Sequence, residues 1–166
     1  MLFGSKVSVP RESALERVVR QHMPEADDEL RALVVAVAGL AACIAFADGV
    51  FDVREKEQVL EELRRLRVLA VGGAEAIGAL LESEIEALTA GGDQAWARVL
   101  KEGMAREGRL DVLDALVEIA AADAVLTTQE TNWLRRITTK LALEEADYLA
   151  LQAKHRDKLA VLRGDD

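Results

Sequence analysis

From Ala32 to Ala47 the chain runs for 16 residues without a charge, and alanine is its commonest residue there. A bilayer-spanning helix needs about 20 consecutive apolar residues, and membrane insertion favours Leu, Ile and Phe over Ala. The run is too short and its side chains too small for that role. It predicts instead a central helix wrapped by its neighbours, which small side chains allow to approach closely. The rest of the chain must then supply enough amphipathic helix to cover it.

The composition supports this. Hydrophobic residues make up 51% of the 166 but aromatic ones only 4%, and there are two prolines. A sheet would call for more aromatic and β-branched side chains, whereas Ala, Leu, Glu and Arg are good helix formers. The expected fold is all-α, a compact bundle of about seven or eight helices in one domain spanning 1–166. Apolar periodicity and end signals place helices at about Arg11–Met23, Asp28–Asp48, Asp52–Leu66, Gly73–Thr89, Asp93–Arg106, Leu110–Ala122, Thr128–Leu141 and Glu144–Leu162. Pro24 ends the first, Gly49 suits the left-handed end of the second, and Gly72-Gly73, Gly91-Gly92 and Gly108 mark later breaks.

Net charge of −9 and an isoelectric point near 4.8 disfavour nucleic acid and anionic membranes as partners and favour cations or a basic protein. The lone Cys43 cannot form an internal disulfide and reads as a small buried hydrophobe. Lys6, Arg11, Glu12, Glu16 and Arg17 interrupt the N-terminal region, which lacks the apolar core of a secretory signal. The expected location is the cytoplasm.

An internal repeat carries the functional question. Ile44-Ala45-Phe46-Ala47-Asp48-Gly49-Val50-Phe51-Asp52-Val53-Arg54-Glu55 aligns without gaps to Ile119-Ala120-Ala121-Ala122-Asp123-Ala124-Val125-Leu126-Thr127-Thr128-Gln129-Glu130, at a constant offset of 75 residues. Each copy has an apolar helix of small residues, an Asp at its end, and a Glu seven residues later in a new amphipathic helix. The pattern predicts a duplicated helical hairpin, with units at about 30–68 and 110–143, packed face to face around the Ala-rich helices. The acidic turns admit two readings. Thr127-Thr128-Gln129-Glu130 and Asp52-Val53-Arg54-Glu55 have capping-box spacing, and Asp48 and Asp123 also lie where a carboxylate can satisfy free backbone N–H groups. Alternatively, Asp48, Asp52 and Glu55 are hard oxygen ligands suited to calcium or magnesium, with Asp123 and Glu130 helping to complete six to eight ligands. The spacing does not match an EF-hand, whose alternating oxygen ligands and central glycine are missing.

The segment Ala47-Asp48-Gly49-x-x-Asp52-x-x-Glu55 after an Ala-rich helix, with a degenerate copy later, resembles the TerB-like domains of tellurite-resistance proteins and the related N-terminal domain of DjlA-type co-chaperones. The resemblance covers about Leu30 to Leu143. It implies a helical bundle whose clustered acids bind metal ions, and a role in stress-associated or membrane-associated complexes rather than catalysis. The motif positions are Asp48, Gly49, Asp52 and Glu55, with Asp123 and Glu130 as counterparts. Ala124 in place of Gly departs from the pattern, and the absence of a J-domain signature argues against a co-chaperone.

No motif for phosphate cradling, nucleophilic catalysis or zinc hydrolysis is present. His22 and His155 stand apart from one another and from any nucleophile, and both are expected at the surface. Glu82 and Glu86 read as a solvated helix face. Trp96 and Trp133 are expected in the core, Trp133 beside the second acidic turn. The sequence therefore predicts a non-enzymatic module that binds a divalent cation within a stress-response complex. The competing expectation is an adaptor or homo-oligomerisation domain whose acids only cap helices.

Overall fold

The structure, a computed structural model, describes residues 12–123 and 126–163, with the side chains of Asp123 and of residues 157–163 outside the description. Eight α-helices account for nearly all of it: α1 (Ala14–His22), α2 (Asp28–Ala45), α3 (Val53–Arg64), α4 (Gly73–Thr89), α5 (Gln94–Gly103), α6 (Arg106–Ala120), α7 (Thr128–Lys140) and α8 (Glu145–Arg163). A single 3-10 turn, Ala121–Asp123, follows α6, and no strand occurs among the described residues.

Caps set many of the boundaries. Ser13 and Glu16 form a reciprocal capping box at the start of α1, the Glu16 N–H donating to Ser13 Oγ (3.1 Å) and the Ser13 N–H to Glu16 Oε2 (2.8 Å). Asp27 caps α2 through the Leu30 N–H (2.8 Å). Satisfying these otherwise free donors is worth about 1 kcal/mol per cap. The helix α2 stops at Ala45, three residues before Asp48, because the Ala47 N–H bonds back to Ile44 O and tightens the chain into a turn. Gly49 then takes φ 82°, the left-handed conformation that a side chain disfavours. Gly108 does not break the chain as its residue type suggested: α6 starts at Arg106 and runs through it, and the interruption falls at Met104–Ala105.

The uncharged run forms the centre of the bundle. Ala36, Ala38, Leu40, Ala42, Ile44 and Ala45 are fully buried, and α2 touches α1, α3, α4, α5, α6 and α7. Its closest neighbour is α5, whose Trp96 ring lies flat on Gly39, where even a Cβ would overlap the indole. The outer helices cover α2 with Leu15, Ile77, Leu81, Leu100, Leu113 and Leu134, all essentially inaccessible. Burial of each such side chain favours folding by about 1.5–3 kcal/mol. No helix among the described residues is long and apolar enough to cross a membrane. Cys43 is buried in α2 as expected, and burial, reinforced by Asp93 against the opposing effect of Lys140, pushes its thiol up to about 12.

Long-range ion pairs tie the second half together. Arg106 at the start of α6 grips Asp147 of α8 with two bonds (2.8 and 3.1 Å). Lys140 at the end of α7 donates to Asp93, just before α5, at 2.6 Å. His155 is not a surface residue. It is 6% exposed in α8 and donates from Nε2 to Asp114 Oδ1 of α6 (2.7 Å), while Lys154 donates to the other carboxylate oxygen (2.9 Å). Burial opposes ionisation of Asp114, but these two bonds outweigh it and hold its carboxyl below the usual range. His22 is half-buried, with Nδ1 within 3.0 Å of Val18 O.

Candidate functional site: two acidic turns

The site is built from the α2–α3 and α6–α7 connections, each of which places a glutamate in the first turn of the helix that follows. Glu55 and Glu130 are both buried, at 1% exposure each. A carboxylate so placed is costly unless its surroundings offer bonds or charge. Glu130 has them: its Oε2 accepts the Thr127 N–H at 2.8 Å, and the Glu130 N–H donates to Thr127 Oγ1 at 3.1 Å. This is the capping box that the Thr127–Glu130 spacing predicts.

The N-cap of the first turn is built differently. Asp52 caps α3 by accepting the Arg54 N–H (2.8 Å), one residue earlier than the Thr127 cap reaches in α7. The side-chain bond of a capping box at Asp52 would come from the Glu55 N–H, so the first turn departs from the expected capping box. Asp48 accepts the N–H of Val50, two residues on, at 2.9 Å. Asp48 and Asp52 are both exposed. Each aspartate thus stabilises its own turn through a neighbouring N–H, as short polar side chains commonly do.

As a cation centre the described groups fall short. Among the described residues no three His, Cys, Asp or Glu side chains are gathered to hold a metal ion. Asp48 and Asp52 face solvent, Glu55 is buried in the first turn of α3, and Glu130 serves its cap. The Asp123 side chain lies outside the described residues. Its backbone belongs to the 3-10 turn that packs against α3, so the second turn lies beside the helix that carries Glu55.

What the acidic pattern obscured is apolar. Val50 and Val53 are 61% and 64% exposed, with the half-buried Phe51 between them. Phe51 and Val53 stand at the mouth of a groove of about 350 Å³ between α3 and α4, lined also by Val59, Leu60 and Ala79. The sequence did hold a signal, three large apolar residues within four positions in a turn that no helical periodicity accounts for. Trp133 is buried in α7 and Trp96 partly so in α5.

Comparison with known proteins adds one finding. No curated protein and no solved structure matches the chain. Residues 34–153, which take in both acidic turns and five whole helices from α3 to α7, match the family described as tellurite resistance protein TerB. That span is well over half of the sequence, and the all-helical bundle agrees with the fold the motif implied: the chain belongs to the TerB family.

Proposed function

We propose that the chain is a non-enzymatic interaction module, holding a partner protein within a stress-response complex of the kind that the family's description, tellurite resistance, suggests. The observation that carries this reading is the use to which the turn carboxylates are put. Asp48 and Asp52 each accept a backbone N–H two residues on, and Glu130 closes a box with Thr127. Carboxylates so engaged build turns rather than reaction centres, and the two histidines lie far along the chain from these turns, in α1 and α8.

A second reading has its own support. Burial of Glu55 and Glu130 to the same degree, with the second turn against α3, suits calcium or magnesium held by Asp48, Asp52 and Glu55 with Asp123 and Glu130. Titration calorimetry of chelator-treated protein with calcium, magnesium, zinc and manganese separates the two. The interaction reading expects no saturable heat. Saturable micromolar binding that Asp48→Asn abolishes would replace it with the cation reading.

A further inference from the structure

The α3–α4 groove sits beside a second depression along α4, lined by Phe46 and Ile85. Between them the two linings hold five glutamates, Glu57, Glu75, Glu82, Glu84 and Glu86, and one cationic residue, Lys56. Lys56 is already engaged, its Nζ 5.1 Å from the centre of the Phe51 ring and 3.3 Å from Glu82. Arg64, outside the lining, holds Glu75 at 3.0 Å. Gly78 in the lining leaves room for Leu60, because a Cβ added there would come within 3.3 Å of Leu60 Cδ1, closer than side chains ordinarily pack. Near Glu84, which has φ −132° and ψ 17°, α4 bends, and the acidic row follows it.

A strip that is apolar at its floor and acidic along its rim fits an amphipathic helix with a basic flank. A second copy of this chain fits poorly, because it carries a net charge of −9 itself and would bring like charge to the rim. Resting on the interaction-module reading, we infer that the α3–α4 groove, with Phe51 and Val53 as its lip, docks a basic amphipathic helix of another protein.

The test uses the full chain and two labelled helical peptides of about 18 residues, one of Leu and Lys and one of Leu and Glu, each with a single apolar face. Anisotropy should show saturable binding of the Leu/Lys peptide and none of the Leu/Glu peptide. Val53→Asp and Ala79→Glu, both at exposed positions, add negative charge to the strip. Simple attraction of opposite charges would therefore tighten in them, whereas groove docking should weaken by about tenfold, or 1.4 kcal/mol. Amide shifts on binding should concentrate in residues 51–60 and 75–86. Unchanged or tighter binding to the variants, shifts centred elsewhere, no binding at all, or self-association lost in Val53→Asp would each overturn the assignment. If the peptide fails while the cation titration stays silent, only the groove assignment falls. Saturable cation binding would remove the interaction reading beneath it.

Discussion

The two acidic turns have similar spacing and equally buried glutamates, Glu55 and Glu130, but differ in the residues around them. In the second, the capping-box glutamate Glu130 is buried, its Thr127 partners are half-buried, and the 3-10 turn before them packs against α3. In the first, the aspartates face water, the cap reaches one residue less far, and three apolar side chains crowd the exit. A motif defined by acids at fixed intervals thus marks a structural joint in one place and an accessible lip in the other. What separates them is the residues between the acids and the helices packed outside them.

If the second turn is the structural one, its glutamate should dominate. Glu130→Ala removes a buried side chain and strands the Thr127 N–H, and should cost about 2–4 kcal/mol by chemical denaturation. Asp52→Ala, which removes an exposed cap, should cost about 0.5–1 kcal/mol. Equal losses would erase the distinction.

A smaller effect concerns the helix that closes the second half. Asp114→Asn weakens the bonds from His155 and Lys154 that join α8 to α6, and should cost about 1.5 kcal/mol at neutral pH. The sign of its pH dependence follows from the depressed Asp114 carboxyl. In the unfolded chain this group takes up a proton near pH 4, whereas in the folded chain it stays ionised further into acid. Its stabilisation is present above that pH and lost as pH falls through the lower, folded value. The gap between wild type and variant should therefore close in acid; a gap constant from pH 7 to pH 2 would place the cost in packing instead. The smallest effect belongs to the lip. Val53→Thr copies Thr128, the residue at the matching place in the second turn, and should change stability by less than about 0.5 kcal/mol while lowering peptide affinity. A large loss of stability would make Val53 part of the core rather than of a docking surface.

The helices were legible because their signals are local. Ser13 with Glu16, Thr127 with Glu130, and Gly49 announce boundaries within a few residues of where they fall. Gly108 misled because glycine in a helix is a modest cost, and here the start is fixed upstream, where Ala105 is extended. His155 misled for another reason. Its burial depends on Asp114, 41 residues away, and no pattern within α8 announces that α6 will offer a carboxylate there. At the candidate site the Thr127–Glu130 cap was legible in the sequence, but the other acids were not assignable, since capping and metal binding ask for the same residues. The groove was hidden because its walls come from two helices whose facing surfaces are set only by packing.

Cys43 gives the bundle a built-in clock. With its thiol pushed up to about 12 and buried in the central helix, essentially none of it is thiolate at neutral pH, and the thiolate is the reactive form. An alkylating reagent in solution can therefore modify this sulfur only in those moments when the helices around α2 part. The rate at which one atom is marked then reports how often the structure around it opens, locally or as a whole.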